Sequence, residues 1–173
     1  MPIISLRYEF RQPFRVSANQ AYDWCTDFGP DDGRLFAERT LRSVRRWAED
    51  TLVMTDTTYP AGRARRIRRL VRLVPSESAW TNTHLDGPFQ HSQFWYRIVA
   101  DGPQRSHLEF RGLRLESSSR PLSARETAQR AKRRRSVDSE EWRKRLAPAL
   151  ERDLAGSRLP PPVQRPRPRR RPT

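Results

Sequence analysis

The sequence predicts an α+β chain in which an N-terminal strand, two short helices, a six-stranded antiparallel meander and a long C-terminal helix share one core. Three observations carry this reading. Apolar and polar residues alternate with a period of two in seven runs, and turn residues separate the last six of them. Two capping boxes, Ser17 to Gln20 and Ser123 to Glu126, mark where helical periods begin.

The first run, residues 3–16, sets Ile4, Leu6, Tyr8 and Phe10 on one parity, with Phe14 and Val16 beyond Pro13. A proline inside a strand predicts an edge or a bulge, because it cannot donate to the ladder. After Ser17, the residues Ala21, Trp24, Cys25 and Phe28 fall at helical spacing, and Gly29-Pro30 is expected to stop that helix. Asp31-Asp32-Gly33 can open a second short helical turn with Leu35 and Phe36 facing inward. The meander follows as 39–48, 51–58, 63–74, 78–86, 91–100 and 105–116. In 63–74, Ile67, Val71 and Leu73 share one parity while Arg66, Arg68 and Arg72 take the other, the mark of a sheet with one face in water.

The period then changes. From Ser139, the residues Trp142, Leu146, Leu150 and Leu154 recur every three or four positions, and Pro148 is expected to kink this closing helix. The basic run between the second capping box and Ser139 can continue that helix or interrupt it. From Gly156 onward the chain is rich in proline and arginine and has little to bury, so residues 156–173 read as a disordered, partly polyproline-II tail. Residues 1–155 read as one domain, which the length of 173 residues permits.

Of the 35 basic residues only Lys132 and Lys144 are lysine, and the formal net charge is +15. Such a charge invites phosphate, through release of condensed counterions. Arginine enrichment also follows from a GC-rich genome. The run 130–135 and the tail carry no aromatic interleaved with their cations, so they imply at most weak, salt-sensitive attachment to nucleic acid or to an anionic membrane surface. A single cysteine, Cys25, excludes an internal disulfide, and it sits mid-helix on an apolar face where a nucleophile is not expected. His84, His91 and His107 all fall in strand runs, and no pair has the i, i+4 spacing of a helical metal site. We read no metal and no cofactor. The first ten residues carry a polar group too early for a signal-peptide core, and no apolar stretch reaches the length of a membrane span, so the expected location is cytoplasmic.

The stretch "FRVSANQAYDWCTDF" followed by "DD" resembles the first strand and helix of the START-like superfamily, especially its polyketide cyclase/dehydrase and lipid-transport members. "FWYRIVADGPQRSHLEFRG" is similar to that superfamily's last hairpin and "EEWRKRLAPALERDL" to its closing helix. The resemblance covers roughly residues 3–155 and implies a helix-grip fold: a curved seven-stranded sheet around the C-terminal helix, with a cavity between them under the two short helices. It implies a bound lipid, polyketide or other apolar molecule, with cyclase/aromatase or dehydratase chemistry as the enzymatic alternative. It supplies no catalytic residue, because none is common to the superfamily.

The residues themselves offer a cavity wall of Phe36, Trp47, Trp80, Phe94, Tyr96, Phe110 and Trp142, with core filling as the alternative role for each. Arg69 shares parity with Ile67 and Val71 and is expected to point inward, where it needs an anionic partner from the protein or a ligand. Asp23, Asp27, Asp31 and Asp32 can be read as an acid/base or Mg²⁺ cluster, but Asp31 and Asp32 fit better as caps of the next helical turn and as partners for the arginines of 39–46. A third reading, different in class, is a basic protein that uses the fold as a platform for nucleic acid.

Overall fold

A computed structural model describes residues 1–29, 32, 35 and 40–156. The second short helix expected around Asp31 to Phe36, and the tail from Ser157, lie outside the described residues except for Asp32 and Leu35. Strand β1 (Ile3–Phe14) leads into helix α1 (Ala18–Thr26). Six strands follow: β2 (Thr40–Ala48), β3 (Thr51–Thr58), β4 (Arg65–Val74), β5 (Ala79–His84), β6 (Gln93–Gly102) and β7 (Arg105–Ser117). Helix α2 (Ala124–Glu141) continues through a π-helical turn (Trp142–Leu146) into α3 (Ala147–Gly156).

All seven strands pair antiparallel in the order β1-β7-β6-β5-β4-β3-β2, so the first strand returns to close on the last. Pro13 stands on β1, an edge strand, where its missing N–H costs no ladder bond. Both capping boxes form: the Ser17 and Ser123 hydroxyls accept from the amides of Gln20 and Glu126. Helix α1 stops at Thr26, earlier than Gly29-Pro30 suggests, because Phe28 turns left-handed (φ 46°) and buries its ring. The basic run 130–135 lies within α2 and so continues the helix.

The core forms between the inner face of the sheet and the C-terminal helix. Leu6, Leu52, Val71, Leu108 and Leu150 are almost fully excluded from solvent. Helix α3 delivers Ala147, Ala149 and Leu150 to that core, whereas α2 buries no residue and is fastened by polar contacts. The π turn is the form taken by the kink expected at Pro148. The Ala147 amide bonds back to the Trp142 carbonyl, five residues away, and this wider turn absorbs the hydrogen bond that Pro148 cannot make. Among the described residues no helix is long and apolar enough to cross a membrane.

Two sequence expectations are corrected. Trp47 does not reach the interior: it sits at a β-bulge of edge strand β2 and is 63% exposed. The residues that β2 turns inward are Thr40 and Arg42, while Leu41, like Trp47, faces water. His91 is not on a strand. It lies in the β5–β6 connection with φ 65°, ahead of Gln93 where β6 begins.

Candidate functional site

A cavity of about 520 Å³ opens between the inner face of the sheet, α1 and the α2–α3 junction. Its walls are largely aromatic where β5, β6 and β7 turn Trp80, Phe94, Tyr96 and Phe110 inward. Trp80 on β5 stacks flat on Tyr96 of β6, with ring centres 4.8 Å apart, and Tyr96 meets Phe110 of β7 edge-on at 5.2 Å. Phe94 lies 5.9 Å from Phe110, and Trp142 brings the π turn to 6.4 Å from Tyr96. Gly112 makes room for this layer. A Cβ there would stand 3.1 Å from the Phe110 ring and 3.2 Å from Tyr8, tighter than the rings allow without moving. Thus Arg69, Trp80, Phe94, Tyr96, Phe110 and Trp142 all line the cavity. Trp47 does not, and Phe36 lies outside the described residues.

Polar groups enter this apolar space in two clusters. In the first, Asp56 of β3 accepts from Arg42 Nε at 2.8 Å and Nη2 at 3.1 Å, and it also pairs with Arg69 Nη2. Arg42 reaches Asp32 as well, with Nη1 donating at 3.2 Å. The partner that Arg69 needs is therefore supplied by the protein. Burial, and then the neighbouring Arg42 charge, push the Arg69 guanidinium down to about 10, still charged at neutral pH. Neither Arg42 nor Asp56 was identifiable as inward from the sequence, because β2 alternates poorly and Asp56 sits among threonines. A carboxylate on the parity of Leu52 and Met54 was the available signal.

The second cluster joins β1 and β7 to α2. The Tyr8 hydroxyl donates to Asp138 Oδ2 at 2.5 Å, and burial followed by the Asp138 charge holds this phenol well above its usual range. Arg114 Nη1 lies 3.8 Å from Asp138 Oδ1, and its guanidinium carbon sits 4.1 Å above the Phe89 ring. Buried Glu116 is bridged by Arg134 at 2.7 Å.

Three adjacent cavity-lining groups carry buried atoms without a hydrogen-bond partner among the described residues: Arg69 Nε, Asn82 Oδ1 and His84 Nδ1. Arg69 and His84 are register partners across β4 and β5, and Asn82 lies two residues before His84 on the same face. Burial, and then the charges of Arg69 and Arg114, push the His84 imidazole down to about 4, so it is neutral at physiological pH. Desolvation likewise raises Tyr96 to about 12. The Cys25 thiol is pushed far up by burial, which removes it as a nucleophile. His107 faces outward and pairs with Asp101 at 2.8 Å.

No family model matches this chain, and no curated protein matches it. Solved structures do. The Zhui aromatase/cyclase from Streptomyces sp. R1128 is 16% identical, with a TM-score of 0.67 over 88% of this chain and 99% of that one. A START superfamily protein from Mycobacterium smegmatis is 14% identical, with a TM-score of 0.64 over 85% and 98% of the two chains. Norcoclaurine synthase from Thalictrum flavum, solved with dopamine and hydroxybenzaldehyde, is 8% identical, with a TM-score of 0.65 over 91% of each chain. At such identities the likeness speaks for architecture and not for chemistry. With one antiparallel seven-stranded sheet closed by a C-terminal helix, this chain has the helix-grip fold of START-like proteins.

Proposed function

We propose that the protein binds a hydrophobic small molecule, lipid or polyketide-like, in the cavity between the sheet and the C-terminal helix. The observation that supports this reading is the combination of an aromatic cavity of about 520 Å³ with three neighbouring polar atoms that have no hydrogen-bond partner among the described residues. That volume falls in the ordinary range for ligand pockets. An unpaired buried polar atom costs about 1–3 kcal/mol, which a ligand recovers by supplying the missing partner. The matching ligand has an apolar, largely flat body for the Trp80 and Tyr96 faces. It also has an oxygen that accepts from Arg69 Nε–H, flanked by a hydroxyl that donates to Asn82 Oδ1 and by a hydroxyl or carbonyl for His84 Nδ1. The ligand needs no anionic group for charge balance, since Asp56 and Asp32 already face Arg42 and Arg69.

Two measurements test the reading together. Mass spectrometry of the denatured, purified protein is expected to release an apolar small molecule, and the emptied protein is expected to bind anilinonaphthalene sulfonate saturably at one site. Absence of any bound molecule together with an unchanged probe spectrum contradicts it.

The second reading, an enzyme of the cyclase/aromatase or dehydratase kind, is favoured by one specific observation: Arg69 and His84, on neighbouring strands, each carry a nitrogen with no hydrogen-bond partner among the described residues. Arg69 would polarise a carbonyl oxygen while His84 takes a proton from the adjacent carbon. The depressed basicity of His84 makes it a weak base at rest, so binding is the leading reading. Deuterium exchange into benzoylacetone distinguishes the two. Exchange above the buffer rate that is lost in His84→Phe supports the enzyme, and exchange at the buffer rate opposes it.

A further inference from the structure

The outer face of the sheet is built differently from the inner one and has no part in the cavity. Register places Arg72, Thr81, Trp95 and Arg111 in one row across β4, β5, β6 and β7. Arg111 lays its guanidinium carbon 5.2 Å from the centre of the Trp95 ring. Arg97 stands two residues beyond Trp95 on the same face of β6, and Arg66 lies six residues before Arg72 on the same face of β4, beside Thr57 of β3. Among the described residues Arg7, Arg45, Arg66, Arg72 and Arg97 form no salt bridge on this face, whereas Arg11, Arg68 and Arg111 do, Arg111 lying 4.0 Å from Glu9 of β1. Threonines at positions 51, 55, 57, 81 and 83 fill the spaces between them.

We infer that this face is a docking surface for single-stranded nucleic acid. Unpaired guanidinium groups release counterions from phosphates. The Trp95–Arg111 pair offers two flat groups on which an unpaired base can stack. Threonine hydroxyls reach phosphate and sugar oxygens. A paired duplex presents no free base to that platform, and an anionic membrane would leave the flat aromatic–guanidinium pair without a use. The basic helix segment 130–135, by contrast, carries cations with no aromatic among them, so it offers no ring to a base.

The test is fluorescence anisotropy of a labelled single-stranded polyuridine oligonucleotide with the full chain, at about 50 and 200 mM salt. Saturable binding is expected, weakened about tenfold by Trp95→Ala and largely restored by Trp95→Phe, which keeps a stacking ring. Arg72→Gln with Arg97→Gln is expected to weaken binding and to lower the salt slope by about 1.4, the share of two phosphate contacts on a single strand. Arg133→Gln with Arg135→Gln, the same charge change on exposed α2 positions, is expected to have a smaller effect. The inference is overturned if no saturable binding occurs at the lower salt, or if the two double variants behave alike. It is also overturned if Trp95→Phe binds no better than Trp95→Ala, or if anionic vesicles bind the protein while the oligonucleotide does not.

Discussion

Arginine occupies both faces of the sheet, and the two populations are held differently. Inside, Arg42 is only 4% exposed and sits between two carboxylates, with Asp56 bridging it to Arg69 across three strands. Outside, Arg72 and Arg97 project into water with no carboxylate partner among the described residues, and the Arg11–Glu109 pair leaves its arginine 73% exposed. The difference follows from solvation. A guanidinium withdrawn from water must find a compensating charge at a fixed distance, and one left in water need not. The inner cations therefore cost design elsewhere in the sheet, and the outer ones remain available to a partner.

The largest expected effect breaks the inner cluster. Asp56→Ala leaves two buried guanidinium groups facing each other and is expected to cost about 3–5 kcal/mol in urea denaturation. The outer counterpart, Glu109→Ala, removes an exposed pair and is expected to cost under about 1 kcal/mol. Equal losses would erase the distinction.

Next comes the pH dependence of the inner face. His84 titrates near 4 in the folded protein, below the ordinary 6.5 of the unfolded chain. Above 6.5 neither state holds the proton, so the group contributes no slope. As the pH falls from 6.5 towards 4, the unfolded chain takes a proton that the folded protein refuses, and stability drops by at most about 3 kcal/mol. Denaturation midpoints measured at steps between these limits are expected to show that slope in the parent and a flatter one in His84→Gln.

The smallest effect sharpens the outer side. Arg72→Gln and Arg97→Gln are expected to change stability by less than about 0.5 kcal/mol each, since neither holds anything in place. A larger loss in thermal unfolding would mean that these arginines serve the fold.

This asymmetry explains what was legible in the sequence. Period-two alternation reports which face water meets, so β3 through β7 were readable within a residue or two, and Arg69 was legible as inward because it interrupts an apolar parity. The same rule failed on β2. There the inward residue is Arg42, whose burial depends on Asp56, fourteen positions away and on another strand. Its outward residues, Leu41 and Trp47, are the apolar ones. A local pattern cannot register a partner that only folding brings near. Pro148 announced a kink, yet the π turn that carries Trp142 into the cavity depends on how the following helix packs. The unpartnered trio of Arg69, Asn82 and His84 was equally invisible, since it is defined by contacts that are missing and not by residue type.

The most direct test of the central claim observes the two faces in one experiment. Nitrogen-15 NMR of the histidine side chains follows His84 inside the cavity and His107 outside as 2-naphthoate, a flat apolar acid, is added. Binding in the cavity predicts that the His84 Nδ1 resonance shifts saturably while that of His107 stays in place. A His84 signal that does not move, or one that moves only as much as His107, contradicts the account.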